Sequence, residues 1–271
     1  MEGRDYALIR LDESKINIAD VARIVAGVEG RPLADVSMRL KASRGIIAEH
    51  VERDVAEGMA KVLEVRGIRC TVVPTKLIAA TPKPKRCTQL TLSARKLVLK
   101  GRGDEESCGW DDIELVNCGR VRLLDHQPDR GSLSDQGMAR SAPVVGLSGL
   151  PAIALGRRRY VRTVREDPYS LVMDIFARAN DGHYRFYEGL SEVRLPDPRG
   201  KDPDKPMSRD RRLARTIIEK ATGASFGAAL PLLAEGKSLH SYTFTSEPSY
   251  NRYTNWLLQS ERIKRESPEG R

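Results

Sequence analysis

The first eighty residues constrain this chain most, because their apolar spacing alternates between strand and helix periods, with turn and cap residues standing at the changes. Tyr6-Ala-Leu-Ile-Arg-Leu11 reads as a strand, and Asn17 to Ala26 and Leu33 to Lys41 read as two short amphipathic helices. Gly45-Ile-Ile-Ala48 gives a second strand, Glu52 to Val65 a longer helix, and Ile68 to Val73 a last strand after the turn at Gly67. The β-α-α-β-α-β order carries no catalytic constellation and points to recognition rather than reaction. Residues 1–78 are expected to fold alone.

At 271 residues the chain is long for one domain, and two domains are expected. With 40% apolar and 31% charged residues it can bury a core, which excludes a wholly disordered chain. Aromatics are only 5%, so packing must lean on Val, Ile and Leu. The formal net charge is +9, and residues 1–78 hold 13 Lys+Arg against 12 Asp+Glu, so +8 of it falls beyond residue 78. A nucleic acid or anionic lipid would therefore meet the second part first.

Cys70, Cys87, Cys108 and Cys118 lack CxxC spacing and no secretory signal is evident, which predicts a reducing, cytoplasmic setting. Cys70 alternates with apolar residues in a predicted strand, where a thiol packs as a small hydrophobe. A metal site would need these cysteines to converge with the distant His50, His126 or His183, whereas zinc sites show close ligand pairs, so no metal or cofactor is expected. The longest apolar stretch, Val144 to Leu155, is broken by Gly146, Gly149 and Pro151 and falls short of the roughly twenty residues of a membrane span.

Ala80-Thr-Pro-Lys-Pro-Lys-Arg86 reads as an extended, solvated connector, so the chain divides into residues 1–79, a Pro/Lys linker at 80–87, and a basic β-rich part at 88–266. Gln89-Leu-Thr-Leu92 and Lys96-Leu-Val-Leu-Lys100 pair around Ser93-Ala-Arg95, and Ile113 to Val116 and Arg120 to Leu124 are two further short strands. Residues 125–143 read as a long loop and Arg157 to Val164 as a cationic strand. Leu171 to Ala177 and His183 to Tyr187 flank Arg178-Ala-Asn-Asp-Gly182 as a hairpin, and Leu195 to Met207, with four prolines, is irregular. Two helices close the chain. Ser208 caps one running through Lys220, and the other spans about Ser249 to Lys264, with Tyr250, Tyr253, Trp256 and Leu257 as a core seam. The fold class is α+β.

Residues 30–73 resemble the C-terminal domain of the bacterial ribosomal stalk protein L7/L12, a ClpS-like α/β fold. The likeness runs through Leu33-Ala-Asp-Val36, Val51-Glu-Arg-Asp-Val-Ala-Glu57, Lys61, Leu63-Glu64, Gly67 and Val72-Val73. It implies a unit that binds other proteins through an exposed helical surface, translational GTPases in the ribosomal case. The family's Gly-Leu-Gly-Leu-Lys-Glu-Ala-Lys segment stands here as Gly30-Arg-Pro-Leu-Ala-Asp-Val-Ser37, so both helical lysines are replaced, by Ala34 and Ser37, and the second glycine by Pro32. The dimerisation region and hinge of the stalk protein are absent from the pattern. The resemblance implies the same fold reused. Beyond the connector, Gln89-Leu-Thr-Leu-Ser-Ala-Arg-Lys-Leu-Val-Leu99 followed by Gly109-Trp-Asp-Asp-Ile113 resembles bacterial pleckstrin-homology-like or GRAM-like domains, in which such segments form one edge of a curved sheet.

The candidate binding residues are arginines. Gly156-Arg-Arg-Arg-Tyr-Val-Arg-Thr-Val-Arg165 would split Arg158, Tyr160 and Arg162 from Arg157, Arg159 and Arg165 across an extended strand, and guanidinium forks suit phosphates. The same run also fits a solvated edge protected by charge. Arg211, Arg212 and Arg215, with Arg209, form the polar face of the first closing helix. Catalytic readings fail. Val145-Gly-Leu-Ser-Gly-Leu150 has Leu where a nucleophile elbow needs Gly, Asp111-Asp112 would point to opposite faces of a strand, and no phosphate-binding fingerprint occurs. The sequence therefore predicts a non-catalytic, cytoplasmic adaptor that binds protein through its N-terminal unit; the rival is a nucleic-acid or phospholipid binder using the basic second part.

Overall fold

The first strand, β1 (Tyr6–Arg10), is buried on both faces, with Ala7, Leu8 and Ile9 fully inside, which is why it reads as an unbroken apolar run. In the computed structural model, which describes residues 5–79, 81–101, 103, 105–123, 168–178, 181–195 and 208–266, β1 is the middle strand of a three-stranded antiparallel sheet. Its neighbours are β2 (Ile46–Val51) and β3 (Cys70–Pro74). Three helices cover one face: α1 (Ile18–Glu29), α2 (Leu33–Ser43) and α3 (Arg53–Glu64). Asn17 caps α1 by accepting from the Ala19 N–H at 3.1 Å, and Gly30 ends it in the left-handed conformation, φ 65°. Leu8, Val21, Val25, Val36, Leu40, Met59 and Leu63 form the core between helices and sheet. A short helix, α4 (Thr75–Ala79), follows.

The connector keeps its cations exposed but joins the fold at its end. Lys85–Arg86 is a strand, β4, at the edge of a second sheet, and the following Cys87 is buried, its N–H bonded to the Arg185 carbonyl at 2.8 Å. The expected hairpin forms as β5 (Gln89–Leu92) and β6 (Lys96–Lys100), and a strand the sequence did not announce, β7 (Glu105–Gly109), extends it. Asp111 and Asp112 lie in a 3-10 turn, Trp110–Asp112, rather than in a strand. The two strands expected at Ile113–Val116 and Arg120–Leu124 are one, β8 (Ile113–Arg122). Asn117 and Gly119 are not turn residues: Asn117 is fully buried, and a Cβ on Gly119 would come within 2.7 Å of the Phe244 ring, so the glycine is there for close approach.

Beyond β8 come β9 (Tyr169–Ala177), β10 (Gly182–Tyr187), β11 (Glu192–Arg194), α5 (Arg209–Lys220), β12 (Ser225–Phe226), α6 (Ala229–Glu235), β13 (Thr243–Phe244) and α7 (Glu247–Glu266). The larger sheet has the order β12-β8-β9-β10-β4, with β13 also on β8; a four-stranded sheet has the order β11-β5-β6-β7. The molecule is thus α+β. Strand β9 shows how the larger sheet serves two cores. Leu171, Met173 and Ile175 face the four-stranded sheet with α5 and α6, while Val172 and Phe176 face α7.

Helix α7 lies between the two units. Tyr250, Tyr253, Trp256, Leu257 and Leu258 share one core with Ala7, Ile9, Ile46 and Val73 of the N-terminal sheet and with Leu115, Val121, Val172 and Phe176 of the larger one. The expected aromatic seam is therefore core. The Trp256 indole donates to the Arg10 carbonyl at 2.8 Å, and Gly45 leaves the room its ring occupies. The Arg44 guanidinium donates to the carbonyl of Thr243 at 3.0 Å and stacks 4.1 Å from the Phe244 ring centroid. Glu13 accepts from the Ala228 N–H at 2.8 Å and from the Tyr253 hydroxyl. Among the described residues no helix is long and apolar enough to cross a membrane.

Candidate functional site

Chemistry-bearing side chains gather where α7 starts. The cross-strand register sets Asn117 of β8 beside Asp174 of β9, and Asp174 beside Arg185 of β10, as one row on the face under α7. Arg185 grips Asp174 with two parallel bonds, Nε to Oδ1 at 2.7 Å and Nη2 to Oδ2 at 2.8 Å, and its Nη1 reaches Glu247 Oε1 at 2.7 Å. Tyr187 donates its hydroxyl to the same Glu247 oxygen at 2.8 Å, and Asn117 donates to the Thr254 hydroxyl at 2.9 Å. The His183 ring stacks on Phe176 at 4.2 Å between centroids; its Nδ1 must donate to the Pro82 carbonyl, 2.8 Å away. His183 Nε2 lies 3.2 Å from Asp174 Oδ1, off the line of a hydrogen bond.

Electrostatics make this network a clamp. Burial alone pushes the Asp174 carboxyl up, but the Arg185 guanidinium overrides it and holds the group at about 2. Burial likewise works against the charged Arg185, and Asp174 reverses that, raising it above its ordinary value. Burial and the bond to Glu247 push Tyr187 up to about 12. Asp174 and Arg185 are 0% and 1% exposed, so neither presents an atom to a substrate; what the row can do is pin the first turn of α7 to the sheet. Sequence reasoning missed it because its members are far apart in the chain.

A second pair of acids meets at the surface. Asp210 lies beside Glu188, and burial together with that neighbour pushes Asp210 up to about 6. The thiols are inert groups: burial pushes Cys70 and Cys87 up to about 12, Cys108 up to about 11, and Cys118 higher still. Among the described residues no group of His, Cys, Asp and Glu has a metal-holding arrangement.

Of the arginine candidates, the described residues include Arg211, Arg212 and Arg215, with Arg209. Arg157, Arg158, Arg159, Arg162 and Arg165 lie outside the described residues, as do the loop expected at 125–143 and all but the first residue of the Pro-rich segment. On α5, capped as expected by the Ser208 hydroxyl, Arg211 and Arg215 both turn inward to α6, each donating Nε to the Ala234 carbonyl, at 3.0 and 2.9 Å. They satisfy a carbonyl at the C-terminal end of α6, a local job that a charge count does not reveal. Arg212 is exposed.

Exposed apolar groups instead concentrate on the N-terminal unit. Of the eight large hydrophobic side chains exposed among the described residues, seven belong to it: Val28, Leu33, Met38, Val55, Val62, Val65 and Leu77. On α2, Ala34, Met38 and Ala42 repeat at i, i+4 and i+8, all exposed, with Leu33 and Pro32 at the N-terminal end. The buried side of the same helix carries Val36 and Leu40, so α2 is apolar on two faces, and among the described residues only one of them is buried. Comparison with protein-family models, with curated proteins and with solved structures returned no match for this chain.

Proposed function

We propose that the protein is a non-catalytic adaptor whose N-terminal unit recognises another protein through the outer face of α2. One observation carries the reading: Leu33, Ala34, Met38 and Ala42 are all exposed along the outer side of α2, while its other side, with Val36 and Leu40, is spent on the core. A concentrated apolar patch costs solubility unless something covers it. Met38, 68% exposed, is the adaptable centre of that face. The resemblance to the stalk-protein domain supports protein recognition, and the substitutions at Ala34 and Ser37 support a partner that meets apolar rather than cationic groups. A cytoplasmic setting suits four unpaired cysteines.

The test is affinity capture with the full chain, wild type against the double variant Leu33→Asp/Met38→Asp, read by mass spectrometry. A partner held by wild type and lost from the double variant, with unchanged thermal unfolding, supports the reading. Partners held equally by both refute it. The anion-binding reading is favoured by the +8 of charge beyond residue 78. It requires affinity for RNA, DNA or anionic vesicles that falls steeply with salt and is untouched by the α2 substitutions.

A further inference from the structure

A local surplus of positive charge is hidden in the N-terminal unit by its near-neutral total. Four cationic side chains, Arg10, Lys15, Lys41 and Arg44, line one cavity of about 400 Å³ with a single carboxylate, Glu13. Glu13 is already spent, since its two oxygens accept from the Ala228 N–H and the Tyr253 hydroxyl. Asp12 answers Arg10, whose Nη2 reaches Oδ1 at 3.3 Å. The Arg44 guanidinium bonds only to the carbonyls of Ser241 and Thr243 among the described residues, and burial pulls it below its ordinary pKa. Lys15 and Lys41 are exposed and, among the described residues, make no ion pair within the chain. Lys41 suits the last turn of α2, whose carbonyl end favours a cation. Lys15 has no such reason. It precedes Asn17, the cap of α1, and so stands at the positive end of that helix, where a cation is unfavourable. Ile18, the first residue of α1, also lines the cavity, so the helix start adds its own partial positive charge. Arg10, its side chain 6% exposed, leaves Nε buried without an acceptor. An anion in the cavity would offset all of these costs.

We propose that this cavity binds a small phosphomonoester with a compact apolar body. The charge fits. With Asp12 set against Arg10 and Glu13 against one of the other three cations, two positive charges remain. A phosphomonoester carries about 1.5 to 2 negative charges at neutral pH. Lys15 and Lys41 come from separate elements, the loop before α1 and the end of α2, and can meet the phosphate as two point charges. The walls fit as well. Ile16, Ile18 and Leu40 give the cavity an apolar side beside its cations, which a bare inorganic ion would leave unused. The volume lies within the roughly 300–1,000 Å³ of small-molecule sites. No aromatic side chain lines the cavity among the described residues, so it offers no platform on which the bases of a nucleic acid strand would stack. The site includes neither Leu33 nor Met38 and stands whether or not the adaptor reading does.

The experiment is isothermal titration calorimetry of the full chain with phenyl phosphate and with inorganic phosphate, up to about 10 mM and at fixed ionic strength so that screening stays constant. Phenyl phosphate is expected to bind at one site and at least about threefold more tightly than inorganic phosphate, since only its ring uses Ile16, Ile18 and Leu40. Lys15→Gln/Lys41→Gln should weaken it at least about tenfold, because two unit charges beside a dianion are gone. Lys61→Gln/Lys76→Gln removes the same charge from exposed positions elsewhere on the unit and should leave binding unchanged. Thermal unfolding checks that both variants are folded. The proposal is overturned if wild type binds neither compound, if inorganic phosphate binds as well as phenyl phosphate, or if the two double variants weaken binding equally. Single-stranded RNA or anionic vesicles held by wild type and lost from Lys15→Gln/Lys41→Gln, with no affinity for phenyl phosphate, would overturn it in favour of a macromolecular anion.

Discussion

Removing the Arg185 side chain head is the most direct way to ask what holds α7 in place. Arg185→Met keeps the length of the aliphatic stem and deletes all three charge-assisted bonds, two to Asp174 and one to Glu247. The larger consequence is what remains: the Asp174 carboxylate, 0% exposed, loses its counter-charge inside the sheet. Breaking a buried pair from one side costs about 3–5 kcal/mol, mostly through the stranded charge. Asp174→Asn in the same chain removes that charge, so the double variant should be less destabilised than the sum of the singles, with a coupling of about 2–3 kcal/mol.

Acid dependence supplies an independent check. In wild type the folded Asp174 sits at about 2, below the ordinary value of 3.8, so ionised Asp174 stabilises the fold. That stabilisation is complete above about pH 4 and is lost as the pH falls toward 2; the difference of nearly two units corresponds to about 2 kcal/mol. In Arg185→Met the largest opposing cause is gone and only the smaller pull of His183 remains against burial, so the carboxyl shifts up and the stabilisation from its charge is lost. Urea unfolding of both proteins between pH 7 and about 3 should show their stability gap narrowing toward acid. A gap that does not change with pH, or a cost below about 1 kcal/mol at pH 7, would refute the electrostatic account of the clamp.

Two other substitutions test packing. Leu63→Ala, at a fully buried position, should cost about 2–5 kcal/mol in urea unfolding, while Arg66→Ala, exposed just beyond α3, should stay within about 0.5; equal effects would mean that α3 is rotated. Gly45→Ala would place a Cβ 1.8 Å from Trp256 Cε2, so it should destabilise by at least about 1–3 kcal/mol and shift the Trp256 emission; an unchanged spectrum would contradict the contact between the N-terminal sheet and α7.

The elements of the N-terminal unit were legible because local signals mark their ends: Asn17 and Gly30 bracket α1, and Gly67 precedes β3. What its strands pack against was only half read. The unbroken runs Ala7-Leu8-Ile9 and Ile46-Ile47-Ala48 already signal burial on both faces, yet the three helices supply one cover and the other comes from α7, some 240 residues along the chain. Residues 229–235 form α6 although Pro231 stands in them, because it occupies the first turn, where its missing N–H has no intrahelical partner to lose. The clamp could not be read at all. Asp174 and Arg185 are 11 residues apart and Glu247 is 62 further on, and only strand register and the placement of α7 bring them together.

These contacts bear on the adaptor reading proposed above. A recognition unit on a loose hinge gains reach, and one fixed to a scaffold gains pre-organisation. Here the Asp174–Arg185–Glu247 clamp fixes α7 to the larger sheet, and α7 in turn fixes the N-terminal sheet through Trp256 and through Tyr253 on Glu13. Arg44, held at φ 53° where α2 ends, adds bonds to the chain just before α7. One face of the N-terminal sheet is therefore taken up by α7, and on the proposed adaptor reading recognition would fall to the helices on the opposite side. Of these, α2 presents Leu33 and Met38 along its outer side, at the end of the unit held in place by α7.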